Sequence, residues 1–179
     1  MKSVTKILSR VFPLNPNIPK KVLDTARDRG SAVHEWIEKY NEYLLNCGEY
    51  PVIALEYQIY ADAYKKWVKE YEVVPIHSEL KLNNDDIVGV LDMICKTKDH
   101  DQVLVDFKIT YSYNLPYVEL QSSAYNELAK HNGVVENKIP QYLLHIGKGG
   151  YSYIPLEDRW DLFDKIREID EYIDAKDKQ

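Results

Sequence analysis

The chain has 179 residues, 45% of them hydrophobic, and a formal net charge of −6 at pH 7. This apolar content excludes a disordered segment, and the length predicts a single domain over residues 1–179. No apolar run approaches the roughly 20 residues that a membrane-spanning helix requires, so we expect no membrane association.

The two cysteines, Cys47 and Cys95, exclude a four-cysteine zinc or iron–sulfur site. They could form one disulfide, but residues 1–13 lack the apolar block of a secretory leader. We therefore expect two buried, reduced thiols and a cytoplasmic setting, in a bacterium or in a virus-infected host cell.

Charge is distributed unevenly along the chain. Residues 1–30 carry seven basic and two acidic side chains, whereas residues 157–179 carry nine acidic and five basic ones. The negative total argues against nucleic-acid binding, but a basic N-terminal region can present a surface to phosphates. The alternative is a solvated, loosely held arm, and the sequence favours neither reading.

Hydrophobic periodicity and turn residues divide the chain into elements. Three prolines in residues 1–20 predict a basic N-terminal arm or loop. Apolar spacing predicts helices, and alternating segments between turn residues predict strands. The predicted order is helices 30–46 and 52–71, strands 73–82, 86–97 and 102–109, helix 116–131, strands 140–146 and 151–154, and helix 157–175. Short turns at 83–85 and 98–101 indicate an antiparallel meander, within an α/β sandwich that has a mixed sheet.

Ionisable residues interrupt two of the predicted apolar strands. Asp106 and Lys108 end the strand 102–109 and share a face, while Phe107 points the other way. Asp92 lies in the preceding strand, and positions 92 and 106 are nearly symmetric about the turn at 98–101. Strand pairing would therefore bring the two aspartates together. Adjacent carboxylates repel unless a cation lies between them, and Mg²⁺ or Mn²⁺ suits such oxygen ligands.

A surface ion pair at a strand end is the alternative reading of Asp106 and Lys108. The apolar run before them and the carboxylate of Asp92 on the neighbouring strand favour a functional site.

These residues belong to an ordered series of motifs. The series is His34, then Gly89-x-x-Asp92, then Asp106-x-Lys108, then Gln121-x-x-x-Tyr125. It resembles the PD-(D/E)XK nuclease superfamily, and it is most similar to the RecB-type exonuclease branch, which has viral and mitochondrial members. The resemblance implies a restriction-endonuclease-like core of order αβββαβ, with a central mixed sheet flanked by helices.

The resemblance also implies roles for individual residues. Asp92, Asp106 and Lys108 would be catalytic, with Lys108 positioning or activating the attacking water. The expected metal ligands are His34, Asp92, Asp106 and the backbone carbonyl of Phe107. Gln121 and Tyr125 would contact substrate or order the catalytic groups, and Glu79 is a secondary candidate because relatives often carry an acid at its place.

Family likeness then sets the expected activity. It is a Mg²⁺- or Mn²⁺-dependent DNA exonuclease that leaves 5′-phosphates and acts at a single- or double-stranded end in recombination or repair. Some relatives hold an iron–sulfur cluster on four cysteines, which this chain lacks. It also has no helicase segment, so unwinding would fall to a helicase or recombination partner. Homo-oligomers occur among relatives. The alternatives are an endonuclease, or a catalytically silent nucleic-acid-binding protein on the same fold.

Overall fold

A six-stranded mixed β-sheet lies between two layers of helices in the computed structural model, which describes residues 1–13 and 15–177. The elements in chain order are β1 (Lys2–Ser3), α1 (Val4–Leu8), α2 (Lys20–Asn46), a 3₁₀ turn (Leu55–Tyr57), α3 (Gln58–Tyr71), β2 (Val74–Asn83), β3 (Ile87–Lys96), β4 (Val103–Lys108), α4 (Leu115–His131), β5 (Gln141–Gly147), β6 (Gly150–Pro155) and α5 (Trp160–Asp177).

Strand β3 is the centre of the sheet. It pairs antiparallel with β2 along one edge, and its other edge is shared by β4, antiparallel, and β1, parallel. β5 continues the sheet parallel to β4, and β6 returns antiparallel to β5. The predicted α/β class, with its αβββαβ order and its central mixed sheet flanked by helices, is confirmed.

The sheet buries a hydrophobic core on each face. The face covered by α2 and α3 includes Trp36, Tyr64, Trp67, Met93 and Phe107. The face covered by α1, α4 and α5 includes Ile7, Leu91, Leu104, Leu128 and Phe163. Burying residues of this size contributes roughly 1.5–3 kcal/mol each, so packing fixes the sheet between its helices.

Both predicted turns of the meander form, and side chains stabilise them. Asn84 Oδ1 accepts hydrogen bonds from the backbone N–H groups of Asp86 and Ile87, at 2.9 and 2.8 Å. In the next turn, Thr97 Oγ1 accepts from the N–H of His100 at 3.2 Å. Such side-chain turns hold adjacent strands in a fixed register.

The predicted N-terminal arm is wrong for residues 2–8. Lys2 and Ser3 form β1 against Ile87 and Val88, and α1 buries three apolar side chains under the sheet. A strand of two residues and a helix of five carry too little periodicity to be read from sequence. Long-range pairing with β3 determines their structure.

Two helix starts and one cysteine also differ from the predictions. Helix α2 begins at Lys20, not at residue 30. Pro19 precedes a run of exposed helix-forming residues that show no apolar stripe, so periodicity does not reveal this part of the helix. Helix α3 begins at Gln58, after the 3₁₀ turn, not at residue 52. Cys47 is exposed where α2 ends in a left-handed conformation, whereas Cys95 is buried, and both are free. Within residues 1–13 and 15–177, no helix is long and apolar enough to cross a membrane.

Candidate active site

The site begins where β3 and β4 separate. The two strands pair through Met93 and Val105, so the next opposed positions are Asp92 and Asp106. There the ladder is replaced by a side-chain bond, in which the Phe107 N–H donates to Asp92 Oδ2 at 2.5 Å. The separation of the strands leaves two acidic side chains facing one opening at the edge of the core.

A backbone irregularity places Glu79 at the same point. Glu79 has φ +50°, a left-handed conformation that is uncommon in a residue with a side chain. Its neighbours Ser78 and Leu80 consequently face opposite sides of the sheet, Ser78 bonding Asn41 of α2 and Leu80 packing on the other core. Strain of this kind concentrates at functional sites, where the surrounding structure maintains it.

His34, Glu79 and Asp92 form a group that could hold a metal ion. One ligand atom of each lies within 4.8 Å of the others. His34 Nδ1 is 3.5 Å from Glu79 Oε1 and 4.0 Å from Asp92 Oδ1. Asp106 is also an expected ligand, but among the described residues it does not belong to this group. Its Oδ2 forms an ion pair with Lys108 Nζ.

Burial and a neighbouring acid both disfavour the charged form of Asp92. Burial and then the charge of Asp106 raise the pKa of Asp92 to about 6, despite the opposing effects of His34, Lys108 and the Phe107 N–H. The pKa of His34 is also raised: burial lowers it, but the hydrogen bond to Glu79 and the charge of Asp92 outweigh burial. A cation beside Asp92 would favour its carboxylate form and so oppose the effect of burial.

Lys108 is held by both neighbouring elements. Its Nζ donates to Asp106 and, at 3.0 Å, to Gln121 Oε1 on α4. Burial lowers the pKa of this lysine, but the charges of Asp106 and Asp92 outweigh burial and raise it. The side chain is therefore a fixed ammonium group at neutral pH.

Gln121, Tyr125 and Gly89 extend this network into the core. Gln121 Nε2 donates to Tyr125 Oη at 3.1 Å, and the two side chains lie one helical turn apart on α4. A Cβ added at Gly89 would lie 2.4 Å from Tyr125 Cε1. The glycine of the Gly89-x-x-Asp92 motif therefore admits the tyrosine ring that supports Gln121.

One cleft of about 580 Å³ collects the residues predicted from sequence. The predicted residues that line it are His34, Glu79, Asp92, Asp106, Phe107, Lys108, Gln121 and Tyr125. Sequence reasoning missed Arg27, Ser31 and Glu38, which also line the cleft. Their spacing from His34 along α2 is the signal that could have found them, because residues three, four and seven apart share a helix face.

The donor set suits a hard divalent cation. It offers carboxylate oxygens from Glu79 and Asp92 and one imidazole nitrogen, a combination that Mg²⁺ and Mn²⁺ accept. The raised pKa of Asp92 gives an independent reason, because a cation would stabilise the carboxylate form that burial and the charge of Asp106 disfavour. The residues present therefore fit a bound metal.

No family model and no curated protein matches this sequence. Among solved structures, the chain resembles a Eubacterium rectale protein provisionally described as an exonuclease, with a TM-score of 0.51 and 11% identity over 89% of this chain and 72% of that one. The protein SSO0001 aligns with a TM-score of 0.40 and 15% identity, over 77% of this chain and 68% of that one. The first likeness shows that the two proteins share a fold, with a central mixed sheet flanked by helices.

Proposed function

We propose that this protein is a Mg²⁺- or Mn²⁺-dependent DNA exonuclease of the PD-(D/E)XK superfamily, in its RecB-type branch. The observation that carries the proposal is the cleft in which Asp92, Asp106 and Glu79 outnumber the ammonium group of Lys108. A carboxylate whose pKa is raised by burial and by a neighbouring acid, as that of Asp92 is, destabilises the fold and persists where a cation and a reaction use it.

His34, Glu79 and Asp92 would hold the cation, with Asp106 and the Phe107 carbonyl as further expected ligands. When bound, the cation supplies Lewis acidity, which neutralises phosphate charge and acidifies water. His34 is positioned for this role by α2, since its ring packs edge-on against Phe107 with centroids 5.8 Å apart. The helix and β4 thus fix the imidazole relative to the carboxylates.

Lys108 stabilises charge and orients water in this proposal. Its ammonium group is positioned to donate hydrogen bonds to the attacking water and to phosphate oxygens. Asp106 and Gln121 set the direction of its ammonium group from two sides. By resemblance to the PD-(D/E)XK superfamily, hydrolysis would leave a 5′-phosphate.

Gln121 and Tyr125 position Lys108. They are only 6% and 5% exposed, and their hydrogen bonds run to each other and to Lys108. This burial favours the ordering of catalytic groups over direct contact with DNA, the other role considered for the pair. Loss of either residue should therefore lower the rate more than the affinity for DNA.

End-labelled DNA tests the proposal directly. Wild-type protein should degrade linear DNA with Mg²⁺ or Mn²⁺ and leave it intact in EDTA. Lys108→Ala should reduce the rate by about 100-fold or more, since a positioned charge is worth about that in hydrolytic sites. Lys96→Ala is the matched control, because Lys96 is an exposed lysine paired with Asp101 outside the cleft.

Closed circular DNA and a metal titration separate the proposal from its alternatives. An exonuclease requires an end and leaves circles intact, whereas an endonuclease opens them. A silent binding protein would retain DNA without cleaving it under any metal condition. Equal cleavage by wild type and Lys108→Ala would contradict the mechanism.

A further inference from the structure

A groove continues the candidate active-site cleft along the N-terminal half of α2. It is lined by residues of α2, among them Lys21, Val22 and Arg29, and by the loop 109–114 that follows β4. Ala26 and Thr110 line both this groove and the active-site cleft, so the two are continuous. The groove has a volume of about 510 Å³.

Tyr111 is displayed at this groove with almost no protein contact. Its side chain is 99% exposed, yet the loop is anchored on both sides of it. His145 Nε2 donates to the Thr110 carbonyl at 2.8 Å, and the Tyr113 ring packs on His145 with centroids 4.9 Å apart. An aromatic ring held outward by an anchored loop offers a free face for stacking.

Arg29 provides positive charge next to Tyr111. Its Nε is buried without a hydrogen-bond partner, and its guanidinium lies 5.8 Å from the centroid of the Tyr60 ring. A single bond, 3.4 Å long, runs from Nη2 to the Ile109 carbonyl. Among residues 1–13 and 15–177 no carboxylate forms an ion pair with Arg29, so its charge is available to a ligand.

Lys148 adds positive charge near Tyr111. It lies in the turn between β5 and β6, is exposed, and lines an adjoining cavity together with Arg29 and Tyr111. Lys21 lines the groove itself. Cations therefore share these two cavities with the exposed aromatic ring, a combination that suits the bases and phosphates of an unpaired strand.

We infer that this groove, defined by Tyr111, Arg29 and Lys148, binds single-stranded nucleic acid and leads it to the cleft. An unpaired base stacks on Tyr111, and Arg29 and Lys148 contact the flanking phosphates. The stacking requires a free base face, which a paired duplex does not offer beside the ring. The inference rests on the proposed nuclease function and specifies its substrate as a single strand.

Binding without turnover tests the stacking. Fluorescein-labelled oligothymidylate and a blunt duplex would be titrated in EDTA and followed by fluorescence anisotropy. Tyr111→Ala should weaken single-strand binding about tenfold, the equivalent of one lost base stack, and change duplex binding little. Tyr111→Phe should retain wild-type affinity, because the ring face is kept. Tyr172→Ala is the matched control, since this tyrosine is 65% exposed on α5.

Salt dependence tests the two cations. Arg29→Gln and Lys148→Gln should each reduce the slope of log affinity against log salt by about 0.7 for single strands. Lys165→Gln, an exposed lysine on α5, should leave that slope unchanged. Slopes that stay at the wild-type value in both groove variants would overturn the assignment of these phosphate contacts.

The outcomes separate this inference from the nuclease proposal. Strand binding through Tyr111 without cleavage under any metal condition would support the groove and reject the nuclease. Cleavage by a protein in which Tyr111→Ala changes neither strand affinity nor KM would reject the groove alone. Absence of single-strand binding by the wild type, or an equal loss for strand and duplex in Tyr111→Ala, would also overturn the inference.

Discussion

Two clusters of acidic and basic side chains behave in opposite ways in this protein. The first, here called the terminal clamp, consists of Lys2, Arg10, Asp170 and Asp174. Two cations meet two carboxylates in it, with Lys2 Nζ 2.5 Å from Asp170 Oδ2 and Arg10 Nε 2.6 Å from Asp170 Oδ1. The clamp joins the N-terminal segment to α5 and balances its charges.

The second cluster is the carboxylate site of the cleft. There, the carboxylates of Glu79, Asp92 and Asp106 face the ammonium group of Lys108 and the imidazole of His34. Burial and the charge of Asp106 raise the pKa of Asp92 to about 6, whereas the hydrogen bond to Lys2 lowers the pKa of Asp174 in the clamp. The clamp favours the charged form of its acid, and the site disfavours it.

The difference between the terminal clamp and the proposed active site lies in how their charges are compensated. Both contain buried carboxylates, since Asp106 and Asp170 are each 2% exposed. What differs is compensation: the clamp is stable as it stands, whereas the carboxylate site carries an excess of acid that a cation would relieve. This also explains why the basic N-terminal region is not free for DNA at Lys2 and Arg10, although Arg29 remains available.

Removing one acid from the carboxylate site should have the largest effect. We expect Asp92→Asn to lower the metal-dependent cleavage rate by about 100- to 1000-fold and still to raise the thermal midpoint of the protein in EDTA. The rate falls because the carboxylate ligand is lost, and the midpoint rises because the repulsion between Asp92 and Asp106 is removed. End-labelled DNA and calorimetry measure the two effects, with the exposed Asp99→Asn as control. A lower midpoint in EDTA would show that the cluster is structural.

Filling the space at Gly89 should disturb the site through Tyr125. The added Cβ of Gly89→Ala would overlap the tyrosine ring at 2.4 Å, so we expect a destabilisation of about 1–3 kcal/mol. Because the ring supports Gln121 and Lys108, the cleavage rate should fall as well. Chemical denaturation measures the first effect. Gly149→Ala, where no atom lies within 4 Å of the new Cβ, is the control, and equal effects at both glycines would exclude this packing role.

The metal-free protein should lose stability as pH rises. The folded pKa of Asp92, about 6, lies above its ordinary value, so the folded state binds the extra proton and its stability falls between roughly pH 4 and 6. The raised pKa of His34 acts in the same direction: its contribution is full below about 6.5 and is lost as pH rises through the folded value.

We expect the part due to Asp92 to be about 2 kcal/mol. It is measured as the difference in unfolding free energy between wild type and Asp92→Asn across this pH range in EDTA. Saturating Mn²⁺ should remove the decline, because the cation replaces the protons. A difference that does not vary with pH would contradict the charge excess.

Weakening the terminal clamp should have the smallest effect and the opposite pattern. Asp170→Asn should destabilise the protein by about 1–2 kcal/mol, a low value for charged hydrogen bonds because Lys2 and Arg10 reach solvent. The cleavage rate should stay within about twofold of wild type, since the clamp joins the N-terminal segment to α5 and lies outside the cleft. Thermal unfolding and the DNA assay are the two measurements. A large loss of cleavage at unchanged stability would show that the clamp contributes to the carboxylate site, and would contradict the contrast drawn between the two clusters.

The fold could be predicted where each element carries its own periodicity. Strands β3 and β4 and the turn between them are short-range features, because Thr97 and its neighbours determine the turn locally. Strand β1 and helix α1 were missed because their structure depends on Ile87 and α5, far along the chain. The exposed start of α2 was missed because it buries little and so leaves no apolar stripe.

The sequence predicts which side chains line the cleft, but not which of them lie close enough together to hold a metal ion. Strand pairing and the family resemblance named the side chains that line the cleft, whereas their roles remain proposals. No local sequence pattern predicts the left-handed conformation of Glu79, which places its carboxylate close to His34 and Asp92. Tyr111 also escaped notice, since nothing in the spacing of tyrosines shows which one the fold leaves exposed.

The terminal clamp also has a consequence for biosynthesis. Lys2 and Asp170 are 168 positions apart, so a ribosome adding about 5–20 residues per second makes the acid roughly ten to thirty seconds after the base. Strand β1 can pair with β3 once residues 87 and 88 have been made, about halfway through that interval, but Lys2 and Arg10 lack their carboxylate partners until α5 is translated. The terminal clamp is therefore completed late, and a nascent chain would join its N-terminal segment to α5 only when α5 has emerged.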